Sequence, residues 1–181
     1  MSKLSYALFG GSFDPPHLGH KEIIKSALEV VDKVIVVPTF LNPFKSSFSA
    51  DAPLRYSWCK EVFASSNVLV SDYEIKQQRA VYSVDTYKEL SKKYNIVAIT
   101  IGADNLASID RWRDFEYLNS NLTWLVATRG DKDLDCSKLR DCKKLNLGVD
   151  VSSTELRAGK KLEYIDKKIK KQVLIEYNIA I

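Results

Sequence analysis

The stretch LFGGSFDPPHLGH, Leu8 to His20, decides the fold of this chain. The apolar run from Leu4 to Phe9 predicts a strand, and apolar residues that recur every three to four positions from Leu18 onward predict a helix. The stretch also contains both histidines of the chain. Ligands of open parallel sheets bind where the carboxyl ends of strands lead into helices. We therefore expect a binding site at this turn.

The rest of the chain alternates short apolar runs with amphipathic stretches. Further strands are predicted at residues 33–38, 68–74, 95–102, 122–129 and 145–151, with helices between most of them. Such alternation is typical of parallel strands that are joined by right-handed crossover helices. The polar segment 130–144 is predicted to lie on the surface. The pattern indicates an α/β protein.

The composition is that of an ordinary globular protein. Of the 181 residues, 45% are hydrophobic and 28% are charged. We expect a single domain, residues 1–181, with 152–181 as a C-terminal helical portion. No apolar run approaches the ~20 residues that a membrane helix needs, and the first residues lead into a strand rather than a signal peptide. We therefore expect a cytoplasmic protein without a membrane partner.

The cysteines and the charge point to no special chemistry. Cys59, Cys136 and Cys142 form an odd set without a Cys-x-x-Cys pair or a nearby histidine, so we expect reduced structural thiols and no zinc site. The net charge is +4, and six lysines between residues 160 and 171 alternate with apolar residues at helical spacing. This spacing favours a solvated helix face over a nucleic-acid-binding patch.

The opening stretch has the features of a phosphate-binding turn. Gly10 and Gly11 lack side chains, so their backbone N–H groups can approach a bulky anion. The helix that begins near His17 directs its positive end toward the same place. His17 and His20 are spaced i, i+3 and share one face of the first helical turn. A Walker loop and a dinucleotide fingerprint are both absent. The alternative is that the histidines cap the helix or fill a polar niche.

These residues carry a resemblance to a known superfamily. GGSFDPPHLGH resembles the nucleotidyltransferase signature Gly-x-Phe-Asp-x-x-His-x-Gly-His. The resemblance implies a Rossmann-like, doubly wound, mostly parallel sheet with helices on both faces. It also implies that His17 and His20 stabilise the α-phosphate and the departing pyrophosphate. The ATP-binding residues that it implies in this stretch are Gly10, Gly11, Ser12, Phe13 and His20.

A second motif lies near the C-terminus. VSSTELR, residues 151–157, resembles the Ile-Ser-x-Thr-x-Ile-Arg motif of adenylyltransferases. There, hydroxyls and amides at a helix start hold the triphosphate together with an arginine, which implies this role for Ser152, Ser153, Thr154 and Arg157. Without the resemblance, the same residues are a helix start with the Ser-x-x-Glu spacing of a capping box.

Two central segments narrow the resemblance to bacterial nicotinate mononucleotide adenylyltransferases. IGADNL with Trp112 is similar to a region of that family in which Gly102 and Asp104 would lie against adenosine and Trp112 would stack on the pyridine ring. The alternative for Trp112 is core packing. VYSVDTY is similar to the family's Ser-Tyr-Thr-x-x-Thr segment, whose backbone amides receive the nicotinate carboxylate. The residues aligned with it are Tyr82, Ser83 and Thr86.

A further loop resembles the family in part. Pro38, Pro43 and Lys45 match a proline-rich loop that usually ends in His-Lys, and Arg55 matches an arginine at the start of the next helix. Lys45 and Arg55 would bracket the mononucleotide phosphate. The chain departs from the family pattern at four positions, namely Ser12, Phe44, Val81 and Ser83. The last two leave backbone donors in place but weaken the argument for carboxylate selectivity.

The implied reaction transfers AMP from ATP to nicotinate mononucleotide and yields deamido-NAD and pyrophosphate. A phosphate monoester, with a second pKa of about 6, is already largely dianionic at neutral pH, so no general base is needed. Alignment and charge stabilisation would come from His17, His20, Lys45 and Arg157. Mg²⁺ would enter with ATP and be held mostly by phosphate and water, without a protein metal site.

Other interpretations stay open. The same chemistry could act on nicotinamide mononucleotide or phosphopantetheine. A different class is a non-catalytic nucleotide or RNA binder that uses the basic C-terminal helix. We expect the small molecules ATP and nicotinate mononucleotide as partners, and no nucleic acid. The sequence leaves the oligomeric state open, and a homo-oligomer is one option.

Overall fold

The computed structural model of the chain describes residues 3–41, 49–129 and 134–180. These residues form a six-stranded sheet in which every pair of neighbouring strands is parallel. The strands are β1 Tyr6–Gly11, β2 Lys33–Pro38, β3 Val68–Val70, β4 Ile96–Gly102, β5 Thr123–Arg129 and β6 Cys142–Leu147. The strand order is β3-β2-β1-β4-β5-β6. This order confirms the predicted Rossmann-like, doubly wound α/β fold.

Helices connect most of the strands. They are α1 Leu18–Ala27, α2 Ala52–Phe63, α3 Tyr73–Gln77, α4 Ser83–Leu90, α5 Phe115–Asn121, α6 Ser153–Arg157 and α7 Lys170–Glu176. Two 3₁₀ helices span Ala103–Arg111 and Leu162–Tyr164. In the part of the chain that the structure describes, no helix combines the length and the apolar character needed to cross a lipid bilayer.

Apolar side chains cover both faces of the sheet. On β1, Ala7 and Phe9 point into one core and Leu8 points into the other, because successive strand residues face opposite sides. The first core contains Trp58 of α2 and residues from α1, α6 and α7. The second contains Trp124 of β5 and residues from α4 and α5. The helices therefore form a layer on each side of the sheet, as predicted.

Three local predictions differ from the structure. The strand predicted at 68–74 ends at Val70, and Tyr73 begins the short helix α3. The last strand begins at Cys142, three residues before the predicted start at 145, and ends at Leu147. It is an edge strand whose exposed lysines break the apolar pattern. The 3₁₀ helix Ala103–Arg111 was not predicted.

The prediction of three reduced cysteines is wrong for one pair. Cys136 and Cys142 form a disulfide, with their Cα atoms 6.5 Å apart. The short loop between them enters β6 and brings the two residues together, a proximity that sequence spacing alone does not reveal. Cys59 is free and buried, and its burial raises the pKa of the thiol well above the ordinary value.

Candidate active site

A cavity of about 450 Å³ opens at the carboxyl ends of β1 and β4, where the strand order reverses. This is the expected place for a ligand in a doubly wound sheet. The predicted site residues that line it are Gly10, Gly11, Ser12, Phe13, His17, His20, Tyr82, Ser83, Gly102, Asp104, Trp112, Ser152 and Ser153. Arg55, Thr86, Thr154 and Arg157 are not part of its described lining. Lys45, Pro43 and Phe44 lie outside the described residues.

The two histidines form one stacked unit at the start of α1. Their ring centroids are 3.7 Å apart, with the ring planes inclined by 24°. The backbone N–H of His17 donates to Nδ1 of His20 at 3.2 Å. Phe13 packs edge-on against the His20 ring at a centroid distance of 4.9 Å. The pair therefore lines the cavity together, next to the positive end of the helix.

Two glycines shape the space around the histidines. A Cβ added to Gly10 would meet no heavy atom within 4 Å, so this residue leaves the cavity open beside the backbone of β1. A Cβ on Gly19 would stand 3.0 Å from Nδ1 of His17 and 3.1 Å from Cγ1 of Val151. Gly19 was not among the predicted site residues, although it is the glycine of the His-x-Gly-His motif. It lets the His17 imidazole lie against the first turn of α1.

The loop between β1 and α1 is held by Asp14, another residue that the sequence-based site omitted. Its carboxylate accepts the backbone N–H groups of Ser49 and Ala50, both at 3.1 Å. It also accepts the hydroxyl of Tyr177 at 2.6 Å. The preceding residue, Phe13, has a φ of 47°, in the left-handed backbone region that residues other than glycine rarely adopt. A set of contacts distant in sequence thus holds an unusual loop in place.

Arg55 lies behind this loop rather than in the cavity. Its side chain is fully buried and donates to three backbone carbonyls. The acceptors are Ser12 at 2.5 Å, Ala50 at 3.0 Å and Phe40 at 3.1 Å. Burial lowers the pKa of the guanidinium below its ordinary value. This arrangement gives no support to the predicted contact with the mononucleotide phosphate, because the guanidinium donates its hydrogen bonds to loop carbonyls and holds those loops together.

The start of α6 faces the same cavity. Ser152 caps the helix as predicted: its hydroxyl accepts the N–H of Glu155 at 3.3 Å, and the Glu155 carboxylate accepts the N–H of Ser152 at 2.9 Å. Hydrogen bonds from Lys161 and then Ser152 lower the pKa of Glu155 to about 2. The hydroxyl of Ser153 donates to the carbonyl of Pro15 at 2.9 Å. This bond joins α6 to the loop between β1 and α1, residues 12–17, which we call the histidine loop.

Arg157 approaches the histidine loop from outside the cavity lining. Its guanidinium donates to the carbonyl oxygen of Asp14 and lies 3.8 Å from the Asp14 carboxylate. It also lies 3.3 Å from the hydroxyl of Thr154. The imidazoles and this guanidinium therefore meet at one loop, but in the described structure only the imidazoles line the cavity. A contact between Arg157 and ATP remains a prediction.

The cavity has a second end, formed by Trp112 and the start of α4. Trp112 is half-buried and packs edge-on against the buried Trp124, with centroids 6.1 Å apart. It both joins the core and lines the cavity, so each of its two predicted roles has support from its position. Tyr82 and Ser83 lie beside it in the lining. At this end the N–H groups of Asp85 and Thr86 donate to the carbonyl of Tyr82, so among the described first amides of α4 those of Ser83 and Val84 lack an acceptor within the helix.

A buried carboxyl also belongs to this end of the cavity. Glu74 is 4% exposed and accepts the hydroxyl of Thr86 at 2.7 Å. Its other carboxylate oxygen is buried without a hydrogen-bond partner among the described residues. Burial raises the pKa of Glu74 from 4.5 to about 7. Sequence reasoning missed Glu74 because it fell in a predicted strand, and Thr86 contacts this carboxyl instead of lining the cavity.

Comparisons with known proteins agree with this geometry. Residues 8–159 match the family described as cytidylyltransferase-like. A protein of Sulfurovum sp. is 39% identical over 175 residues, which cover 95% of this chain and 93% of the relative. One of Aliarcobacter butzleri is 43% identical over 176 residues, covering 94% and 96%. Both carry the name "Probable nicotinate-nucleotide adenylyltransferase".

This chain belongs to the nicotinate-nucleotide adenylyltransferase family. The fold of this family is also seen in a solved structure titled as Plasmodium falciparum nicotinic acid mononucleotide adenylyltransferase complexed with NaAD. The two chains are 21% identical and superpose with a TM-score of 0.75 over 98% of this chain and 97% of the other. The cytidylyltransferase-like match ends before α7, so Tyr177 lies beyond it.

Proposed function

We propose that this protein transfers AMP from ATP to nicotinate mononucleotide, with deamido-NAD and pyrophosphate as products. The observation that carries the proposal is the stacked pair of His17 and His20 at the positive end of α1, in the same cavity as Trp112. Curated relatives of about 40% identity that carry this enzyme name support it.

The geometry suits a reaction driven by alignment and charge stabilisation. The mononucleotide phosphate attacks the α-phosphorus of ATP, and because this nucleophile is already dianionic near neutral pH, no protein base is required. His17 and His20 would donate hydrogen bonds to phosphate oxygens as charge moves onto pyrophosphate. Donors that are fixed before the reaction lower its barrier most effectively, and the stacked rings are fixed in this way.

We assign the two substrates to the two ends of the cavity. The histidine end, with the starts of α1 and α6, would hold the triphosphate. Adenosine would lie against Gly102 and Asp104, and the pyridine ring against Trp112 beside Tyr82 and Ser83. The direct contacts that we still propose from the family resemblance alone are those of Lys45, Thr154 and Arg157. We assign Arg55, Asp14 and Thr86 to positioning rather than to substrate contact.

The donor set of the cavity is compatible with Mg²⁺ that enters with ATP. Mg²⁺ prefers oxygen ligands and keeps several waters, so it is commonly held by one or two carboxylates and by substrate phosphates. Among the described residues, no group of three or more His, Cys, Asp or Glu side chains could enclose a metal ion. Asp104 is a carboxylate of the lining that could contribute. When bound, the ion would neutralise part of the phosphate charge.

Release of pyrophosphate tests the proposal directly. The protein is mixed with ATP and Mg²⁺, and then separately with nicotinate mononucleotide, nicotinamide mononucleotide or phosphopantetheine. We expect release with nicotinate mononucleotide above all. Release only with phosphopantetheine, or salt-sensitive RNA binding without any release, would contradict the proposal.

A single domain and a cytoplasmic location stay predictions from the sequence, and a homo-oligomer stays one option.

A further inference from the structure

We propose that Arg113 is a specificity-determining residue that selects the acid over the amide mononucleotide by pairing its guanidinium with the substrate carboxylate. This inference rests on the proposed function and deepens it. Nicotinate and nicotinamide mononucleotide differ only in the ring substituent, which is a carboxylate in one and a neutral carboxamide in the other. A cation at the pyridine end of the cavity can tell these groups apart by charge.

Arg113 is the charged donor available at that end. Among the described residues that line the cavity, it is the only lysine or arginine. It directly follows Trp112, which we assign to the pyridine ring, and both residues belong to the lining. A permanently positive side chain therefore lies, within the described lining, only on the pyridine side.

The position of the guanidinium agrees with a role at the ring substituent. Its central carbon lies over the Tyr82 ring, 5.0 Å from the centroid. Tyr82 is the residue just before α4, whose first amides are the expected receptors of the carboxylate. The cation therefore lies near the residue that caps α4. A planar guanidinium matches a carboxylate with two parallel hydrogen bonds, which a carboxamide cannot accept in the same way.

The guanidinium is held loosely enough to bind a ligand. The nearest carboxylate in the described structure is that of Asp85, at 3.9 Å, and the Arg113 and Asp85 side chains are 57% and 33% exposed. Such a surface pair is weak, because solvent screens it. Stacking on Tyr82 keeps the cation near the cavity without occupying its N–H groups. A substrate carboxylate can therefore compete for them.

Besides Asp85, Glu74 is a carboxyl group at this end, and it adds to the need for a cation there. Glu74 lines the cavity with a carboxyl, one oxygen of which has no hydrogen-bond partner among the residues that the structure describes. When ionised, this group repels a substrate carboxylate and attracts a carboxamide N–H, so it favours the amide. Burial raises its pKa to about 7, which leaves it partly ionised at neutral pH. The positive charge of Arg113 compensates for this repulsion and so favours the acid.

The test compares Arg113→Gln with Arg111→Gln. Arg111 is also exposed, lies two residues earlier and does not line the described cavity. For each variant and the wild type, kcat/KM is measured with nicotinate and with nicotinamide mononucleotide, alongside the thermal unfolding midpoint. We expect Arg113→Gln to lower kcat/KM for the acid about tenfold or more, mainly by raising KM. A loss of this size is usual when a charge-assisted hydrogen bond is removed. The value for the amide should change less than about twofold on the same scale.

Equal losses for the two nucleotides would overturn the proposal, because they would indicate a contact with the shared phosphate or a structural role. An unchanged ratio would overturn it as well, as would an equal effect of Arg111→Gln. Direct binding of both nucleotides, followed by quenching of tryptophan fluorescence, separates this inference from the reaction. If the wild type binds the acid selectively and Arg113→Gln does not, Arg113 has the proposed role even if no pyrophosphate is released. Equal binding of acid and amide by the wild type would contradict it.

Discussion

Gly19 lies against His17 so closely that a Cβ in its place would stand 3.0 Å from Nδ1 and 3.1 Å from Cε1 of the imidazole. Ordinary Cβ contacts are longer than this, so an added methyl group would have to displace the ring. The His-x-Gly-His spacing thus has a steric reason: the residue between the histidines must leave room for the first one. The effects of an added methyl group at Gly19 on turnover and on stability can be measured separately.

We expect Gly19→Ala to lower kcat at least tenfold while the thermal midpoint stays within a few degrees of wild type. Displacement of a preorganised donor by a few tenths of an ångström weakens transition-state stabilisation. The helix preference of alanine over glycine, about 1 kcal/mol, offsets the strain in the folded state. Steady-state kinetics and thermal unfolding measure the two effects. Gly148→Ala is the matched control, since the added Cβ would meet a carboxylate oxygen of Glu22 at 3.3 Å and no imidazole.

Removal of either imidazole should lower turnover more than displacement of the His17 ring does. We expect His17→Ala or His20→Ala to lower turnover by roughly a hundredfold, because one preorganised donor contributes ~3 kcal/mol to transition-state stabilisation. The rate of pyrophosphate release at saturating substrates is the measurement. Near-normal turnover in either variant would refute the assigned role.

Replacement of Arg55 should affect stability before substrate binding. We expect Arg55→Met to lower the free energy of unfolding by about 3 kcal/mol, because three buried or partly buried carbonyls lose a charged donor. Lys60→Met, an exposed change on the same helix, should be close to neutral. Urea unfolding of both variants gives the comparison. A higher KM for the mononucleotide with unchanged stability would instead favour the direct phosphate contact that the sequence suggested.

Glu74 should make stability depend on pH in an unusual direction. Its pKa is about 7 in the folded protein against an ordinary 4.5, so the folded state holds more protons between these values. The free energy of unfolding should therefore fall as pH rises from about 4.5 to 7, by the order of 3 kcal/mol, and then level off. Glu74→Gln should remove this slope, whereas Glu116→Gln on the surface should keep it. Identical pH profiles for wild type and Glu74→Gln would contradict the assignment.

The hydroxyl of Tyr177 should support catalysis from a distance. Burial raises its pKa above the ordinary value of 10, so it remains a donor to Asp14 at neutral pH. We expect Tyr177→Phe to cost about 1 kcal/mol of stability and to lower kcat with little change in KM, because the histidine loop loses a support. Tyr164→Phe serves as the control. A change in KM alone would argue against positioning.

The sequence predicted the backbone of the site better than its side-chain partners. The strand-to-helix turn, the histidine pair and the Ser152 capping box follow from local patterns, and the structure contains all three. The role of Arg55 did not follow from its local sequence pattern. Its position matched a phosphate-binding arginine of the family, but whether a charged side chain points to ligand or to buried carbonyls depends on loops distant in sequence.

The disulfide and the last strand were missed for related reasons. Cys136 and Cys142 are paired by the path of the chain into β6, and sequence spacing does not determine such pairings. The edge strand carries exposed lysines, so its apolar pattern is incomplete. Glu74 was missed because an acidic residue in a predicted strand is usually solvated, whereas here α4 covers it with the hydroxyl of Thr86.

The bond between Tyr177 and Asp14 spans 163 positions of the sequence, and this separation imposes an order on synthesis. A ribosome produces Asp14 and the histidine loop 163 residues before it adds Tyr177. A nascent chain that stops before this tyrosine has every histidine and glycine of the motif, yet lacks one of the groups that anchor Asp14. Truncated translation products of this kind would therefore carry a less firmly held nucleotide-binding loop.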